Sequence, residues 1–371
     1  MSQFTYIAST DAGNGGVNTV VLKTGQKPTS PTFDYFPSVR AVVRGKSLGL
    51  GAELEHQFAK VDWNGQSYIV GDDVTRVSRQ GLDRYMGQDR YGSEHHQFLV
   101  MTALARCGVG LKTPANVALT LFCPPEYYAN QKEAIRVAFE GKSYHFSYAD
   151  KPHAITIGKV FVVPEGQAAL YCFNLGPDGS PNQNNPLVGD VLFLDSGVYT
   201  LDCVLIRDGK VSPENTFSIP NAGLNQFVRI PLMLAAQSAG RDFTNVSEDD
   251  IDQIIRAYAT ATEASERIEA CILNYGGYTV DLFSQMQACI ANYTNWIVAN
   301  ALSRFDGLRG IRHLVLVGGG ASLITLLMCE LYPDKVKNTP TPPHYAAAKI
   351  HPVNANVVGG LRIALARVGQ G

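Results

Sequence analysis

Two short segments of the chain, Asp11-Ala12-Gly13 and Asp195-Ser196-Gly197, set a glycine two residues after a carboxylate. In a hairpin bend that pairing suits phosphate chemistry. Glycine removes side-chain bulk, backbone N–H groups point at phosphate oxygens, and the aspartate can hold hydrated Mg²⁺. Either segment alone reads first as an ordinary hairpin turn; two of them, at the starts of two similar stretches, can clasp one polyphosphate from both sides. Glu165 lies in Val163-Pro164-Glu165-Gly166-Gln167-Ala168-Ala169, where a strand gives way to a helix of small residues. A carboxylate there can orient a water for attack on phosphorus, or simply cap a helix on the surface. Gly318-Gly319-Gly320-Ala321 follows the apolar run Leu314 to Val317 and can bring backbone close to a ligand ahead of a helix N-terminus, or form a tight strand–helix turn. Ala355-Asn356 and Gly359-Gly360 introduce a closing helix whose glycines permit close helix packing. The two commonest phosphate loops, G-x-x-x-x-G-K-S/T and G-x-G-x-x-G, do not occur; Gly45-Lys46-Ser47 and Gly141-Lys142-Ser143 lack the first glycine.

Other polar residues carry less. His95-His96 has no cysteine or carboxylate at ligand spacing on its helix face, which points to exposed or capping histidines rather than a metal site. Arg76, Arg79, Arg84 and Arg90 form a mildly basic stretch that reads as a solvated loop. Cys271 and Cys289 sit in apolar helical patterns as core residues.

The candidate residues need strands that end at them. The pattern predicts strands over Phe4 to Ser9, Val17 to Lys23 and Phe36 to Val43, and a hairpin over Val61 to Val70 turning at Asn64-Gly65. A helix from Glu94 to Arg106, a strand from Val117 to Phe122, a helix from Glu126 to Phe139 and strands Tyr144 to Tyr148 and Ile155 to Val163 follow. Asn174 to Pro186, with two Gly, three Pro and four Asn in thirteen residues, reads as a loop near a domain boundary. Then the opening pattern restarts: Val191 to Leu194 and Tyr199 to Arg207 make a second hairpin around Asp195-Ser196-Gly197, with a turn at Asp208-Gly209. Internal duplication is the simplest account. Later come a helix capped by Ser247 and Asp250, a long helical pattern from Tyr278 to Leu302, a proline-rich stretch from Lys337 to His344, and a closing helix from Val357 to Arg367.

A chain of 371 residues exceeds one ordinary core and predicts two domains. Its 31 Lys plus Arg against 33 Asp plus Glu argue against coating a polyanion, and 45% hydrophobic with 17% charged residues excludes disorder. The seven cysteines are scattered without a C-x-x-C pair, and the start MSQFTYIAST lacks a basic stretch and a long apolar run. A folded protein of a reducing, cytoplasmic setting is expected, without direct nucleic-acid or membrane binding.

The ordered set Asp11-Ala-Gly13, Val-Pro-Glu165-Gly-x-Ala-Ala, Leu-Asp195-Ser-Gly197, Val-Gly318-Gly-Gly-Ala321 and Ala355-Asn356-x-x-Gly-Gly resembles the five-part nucleotide site of the actin/DnaK/sugar-kinase superfamily. With Phe36-Pro37-Ser38 after the first hairpin, the chain looks most like the prokaryotic actin-like proteins of the ParM/StbA plasmid-segregation type and their archaeal relatives. The resemblance implies an α/β, actin-like fold: two ribonuclease-H-like domains, residues 1–175 plus 350–371 and residues 187–345, flanking a cleft that takes ATP and Mg²⁺. It implies phosphate contacts from Gly13, Asn14 and Gly15 on one side and Ser196 and Gly197 on the other, with Asp11 and Asp195 organising Mg²⁺ through water. Glu165 would position the lytic water, Gly318, Gly319, Gly320 and Ala321 would lie along the adenosine, and Ala355 to Gly360 would form part of the hinge. One position departs: many actins carry a lysine seven residues after the first aspartate, and here it is Asn18. The function so implied is an ATPase that self-associates into nucleotide-controlled filaments and reaches plasmid DNA through a DNA-binding adaptor. A sugar or small-metabolite kinase of the same fold is the alternative, although no acceptor-side base stands out beyond Glu165 and the two aspartates. A DnaK-type chaperone would add a peptide-binding domain after Gly371, and a cell-division or pilus-assembly relative would add a membrane-binding tail.

Overall fold

The first hairpin, β1 (Tyr6–Ala12) with β2 (Gly16–Lys23), sets the frame of residues 1–183 and 356–371, which pack as one compact unit in the computed structural model; residues 184–355 form a second. The structure describes residues 3–43, 58–74, 82–83, 88–336 and 350–369. Gly45-Lys46-Ser47, Arg76, Arg79, Arg84 and the Lys337 to His344 stretch lie outside the described residues.

In the first unit β1 pairs antiparallel with β2 and parallel with β8 (Ala115–Cys123), and β2 pairs with β3 (Thr32–Pro37). The strand expected over Phe36 to Val43 is divided: β3 ends at Pro37 and β4 (Arg40–Val42) pairs elsewhere, because proline cannot donate to a ladder. Beyond lie β5 (Lys60–Trp63) and β6 (Gln66–Val70), joined through Asn64 and Gly65 at φ 49° and 80°, the two positive angles of a type I′ turn. With β7 (Leu82–Asp83), β9 (Ser143–Tyr148) and β10 (Lys151–Pro164) the sheet runs β3-β2-β1-β8-β10-β9-β5-β6-β4-β7.

This sheet is buried on both faces, so neighbouring residues of one strand serve different cores. Ala8, Val17, Val21, Leu119 and Leu121 pack under Phe98, Leu99 and Met101 of α1 (Glu94–Arg106) and Ile135 and Phe139 of α2 (Pro125–Phe139). Ile7, Val20, Leu22, Ala118 and Phe122 face the other way, toward Ala168 of α3 (Gln167–Asn174) and Val357 and Leu361 of the last helix, Ala355–Val368. The unit extends past the expected boundary at 175 to Gln183 because the loop folds back: Asn182 Nδ2 donates to the Phe173 carbonyl at 2.7 Å.

The second unit repeats the motif. Its sheet runs β13-β12-β11-β17, with β11 (Val191–Ser196), β12 (Thr200–Arg207), β13 (Lys210–Val211) and β17 (His313–Val317); β14 (Phe217–Pro220) also pairs with β12. Asp208 and Gly209, at φ 49° and 73°, turn β12 into β13. Leu192, Leu194, Leu201 and Leu316 meet helices α4 (Ile230–Ser238) and α5 (Glu248–Thr260). The helix α6 (Ala264–Ala270) leads into a small hairpin, β15 (Ile272–Tyr275) and β16 (Tyr278–Asp281), before α7 (Phe283–Asn300) and α8 (Ala321–Leu331). The helical pattern expected from Tyr278 therefore begins only at Phe283. Gly276 and Gly277, at φ 60° and 86°, turn the chain, and the Tyr-Thr-Val that follows favours strand. Cys271 is buried but closes α6 as its C-cap rather than lying within a helix; Cys289 is buried on α7. Among the described residues no helix is long and apolar enough to cross a membrane.

Candidate functional site

The two aspartate–glycine segments are built alike. Asp11 is in β1 opposite Asn18, and Asp195 is in β11 opposite Asp202, so each carboxylate sits in the ladder one step before the bend rather than in it. In the first bend a Cβ on Gly13 would come within 3.2 Å of the Gly16 carbonyl oxygen and 3.8 Å of Asp11 Oδ1. In the second, a Cβ on Gly197 would meet the Thr200 carbonyl oxygen at the same 3.2 Å. Both bends are therefore tight cradles that a side chain would crowd, with a carboxylate at the rim, which fits a hydrated cation beside phosphate oxygens.

The first bend is braced from outside its hairpin. Ser38 Oγ donates to the Gly13 carbonyl at 2.5 Å and the Ser38 amide to Gly15 at 3.4 Å, which gives the Phe36-Pro37-Ser38 segment its job. Asn14 Oδ1 accepts from Arg90 Nη1. Arg90 was expected on a solvated loop, yet only 4% of its surface is exposed; Gly92 and the N-cap Ser93, which accepts from the His96 amide, fix the chain beside it. Glu165 is half-buried beyond the end of β10, its amide donating to the Cys123 carbonyl at 3.0 Å. Gly166, at φ 70°, donates to Asn356 Oδ1 at 3.1 Å, and Gly359 lies against the backbone of Ala168, so the Ala355 to Gly360 segment is docked on the turn that carries Glu165.

Tyr91 joins these groups electrostatically. Burial pushes its hydroxyl pKa well above the usual value, and the carboxylates of Glu165 and Asp11 push the same way, against Arg90. His95 and His96 are buried rather than exposed: His96 Nδ1 accepts from the Gly92 amide at 2.9 Å. Burial first and the Arg90 guanidinium second hold His96 down to about 3; burial and Arg40 hold His95 down to about 4. Neutral, buried rings of this kind serve packing.

In the second unit the Gly318-Gly319-Gly320 turn closes onto the second bend. Gly318 is left-handed at φ 84°, and a Cβ there would collide with Asp195 Oδ1; one on Gly320 would collide with Ser196 Oγ, and the Gly320 amide donates to the Ser196 carbonyl at 2.9 Å. Ser196 is fully buried and its Oγ is hydrogen-bonded to Tyr293 Oη at 2.9 Å, which in turn donates to the Ala222 carbonyl at 3.0 Å. The hydroxyl of Ser196, a residue expected to contact phosphate, thus anchors the bend, while Gly197 and Asp195 form its rim. Ala321 is buried as the first residue of α8. Sequence reasoning missed Arg90, Tyr293 and Asp202; only for Asp202 was there a local signal, its place seven residues after Asp195, matching Asn18 after Asp11.

Residues 9–167 match the family model for the N-terminal domain of actin-like proteins. The archaeal actin homolog Ta0583 superposes with a TM-score of 0.69 at 20% identity, covering 97% of this chain and 98% of its own. A subunit of a 15-stranded ParM filament from Clostridium botulinum superposes with 0.69 at 16% identity, over 98% and 99%. Bacillus thuringiensis ParM with ADP gives 0.66 at 14%, over 98% and 99%. No curated protein sequence matches significantly. Residues 9–167 are thus similar in sequence to the N-terminal domain of actin-like proteins, and the chain has the actin-like fold.

Proposed function

We propose that this chain binds and hydrolyses ATP with Mg²⁺ and assembles into nucleotide-controlled filaments, with plasmid DNA partition through a DNA-binding adaptor as its setting. The observation that carries the reading is the pair of matching cradles, Asp11 with Gly13 and Asp195 with Gly197, each of which a side chain would crowd. Structures of the same fold bear on both halves: Ta0583 and Bacillus thuringiensis ParM were each solved with ADP, and the Clostridium botulinum protein as a filament.

In this reading the backbone N–H groups of Gly13, Asn14, Gly15 and Gly197 take phosphate oxygens, and Asp11 and Asp195 hold the cation's water shell. Mg²⁺, when bound, neutralises charge developing on the phosphates. Glu165, held by the Cys123 carbonyl and by the Gly166–Asn356 contact beside it, orients the attacking water. Gly318 to Ala321 pass along the adenosine. ATP-bound subunits add head to tail, an open heterologous contact that propagates as a filament, and hydrolysis weakens it.

Light scattering and pelleting with ATP-Mg²⁺, ADP and no nucleotide test the proposal. Scattering should rise above a critical concentration only with ATP-Mg²⁺. A monomer that phosphorylates a sugar under those conditions would replace this reading with the kinase alternative.

A further inference from the structure

Four arginines are buried among the described residues: Arg40, Arg90, Arg229 and Arg362. Removing a guanidinium from water is costly unless other groups replace its hydration, so each calls for partners. Arg40 meets Asp83 at 2.8 Å and Glu94 at 3.2 Å. Arg229 meets Asp252 at 2.8 Å and Glu248 at 2.9 Å, with Asn225 besides. Arg362 is taken up by the carbonyl oxygens of Cys172 and Leu175. Arg90 differs. Among the described residues it has no carboxylate and no carbonyl, only the amide oxygen of Asn14 and the ring of Tyr91, 5.2 Å from the guanidinium carbon. Its Nη2 is buried without an acceptor; Nη1 of Arg40 is too, but that guanidinium has two carboxylates to balance its charge.

Asn14 completes the pattern. With Oδ1 committed to Arg90, the donor end of its amide, Nδ2, is left over, and it too has no acceptor among the described residues. Both groups stand at the Gly13–Gly15 bend, whose backbone Ser38 braces. A buried cation and an amide donor side by side at a glycine bend, neither satisfied by the protein, are complementary to an anion.

We propose that Arg90 is an anion-binding residue of the first bend, reaching alongside Asn14 to a phosphate oxygen of the bound nucleotide. It brings a positive charge to the bend from the segment before α1, where β2 sets the neutral Asn18 opposite Asp11. The inference rests on the nucleotide reading above and adds a phosphate-specific contact to it.

Isothermal titration of the full chain with Mg-ATP, inorganic tripolyphosphate and adenosine tests both, using wild type, Arg90→Gln and Asn14→Asp, with the melting temperature of each ligand-free protein measured alongside. Loss of one charge-assisted hydrogen bond should weaken ATP and tripolyphosphate by roughly 10- to 150-fold in Arg90→Gln and leave adenosine unchanged. Asn14→Asp gives the buried guanidinium a carboxylate, so it should melt higher than wild type when ligand-free and lose tripolyphosphate binding. That variant tests the idea even if Arg90→Gln does not fold. Wild-type affinity for both anions in Arg90→Gln, or a lower melting temperature with anion binding intact in Asn14→Asp, would overturn the Arg90 assignment and leave the nucleotide reading standing. Tripolyphosphate binding without ATP binding in wild type would support Arg90 and reject the nucleotide reading, and binding of neither would reject both.

Discussion

Gly318, Gly319 and Gly320 are consecutive, yet their surroundings predict three different outcomes for one added methyl group. Gly318 is left-handed at φ 84°, where an alanine costs about 1–2 kcal/mol, and its Cβ would collide with the Asp195 carboxylate and the Ser196 backbone. Overpacking adds about 1–3 kcal/mol, so Gly318→Ala should lose about 2–5 kcal/mol. Gly320 has an ordinary φ but meets Ser196 Oγ and its carbonyl oxygen, so Gly320→Ala should lose about 1–3 kcal/mol. Gly319 has nothing within 4 Å and no left-handed φ; Gly319→Ala should be neutral or gain about 0.5–1 kcal/mol by restricting the unfolded chain. The chain has two tryptophans, Trp63 in the first unit and Trp296 in the second. Urea unfolding followed by Trp296 fluorescence in a Trp63→Phe background therefore reports the unit that contains the substitutions. The expected order of stability is Gly319→Ala, then Gly320→Ala, then Gly318→Ala, with the m-value unchanged. Three equal midpoints, or Gly318→Ala as stable as its parent, would refute the claim that this turn is packed onto the Asp195–Ser196 bend. Gly319→Ala also separates packing from ligand approach: if adenosine lies along this turn, that variant keeps its stability and loses ATP affinity.

The buried histidines make stability depend on pH. His96 is held at about 3 in the fold and titrates near 6.5 when unfolded, so acid protonates the unfolded chain first. Its contribution is whole above pH 6.5 and lost as pH falls toward 3, about 1.5 kcal/mol between pH 6.5 and 5; denaturation midpoints across that range should fall less steeply in His96→Gln, and an identical slope would reject the assignment. Glu165→Ala should lower phosphate release by about 10²–10⁴-fold with ATP binding nearly intact and filaments longer-lived. A capping role would instead cost at most about 1 kcal/mol of stability and leave phosphate release alone. Asp11→Ala and Asp195→Ala should each weaken Mg-ATP binding, read as a higher Mg²⁺ concentration for half-maximal binding; unchanged affinity and turnover in both would remove them from the cation site.

The parts of the fold legible in sequence are those whose cause is local. Asn64-Gly65 and Asp208-Gly209 turn the chain because their left-handed angles suit the turn itself. Ser247 and Asp250 cap α5 reciprocally, across three residues of sequence. Where the cause lies far away along the chain, type and spacing mislead. Arg90 has the composition of a solvated loop and becomes buried because Asn14, distant in sequence, accepts from it. Ser196 sits where a phosphate ligand is expected, and Tyr293 turns its hydroxyl inward.

The same distinction separates the two bends. Their local construction is shared: an aspartate in the ladder, a glycine two residues on, and a carbonyl 3.2 Å from where its Cβ would be. Local geometry accounts for that much, because a hairpin carries its own bend wherever it occurs in the chain. What closes each bend is not shared. The second is sealed by neutral backbone, Gly318 to Gly320, over a serine held by Tyr293; the first is braced by Ser38 and flanked by Arg90 and Asn14. Opposite the carboxylates the ladder places Asp202 in one unit and Asn18 in the other. The second bend thus has two buried carboxylates, and the first has the half-buried Asp11, with a guanidinium at its edge. The two bends share a backbone design and differ in charge: the second is the more acidic, and in the first the guanidinium of Arg90 stands against the Asp11 carboxylate.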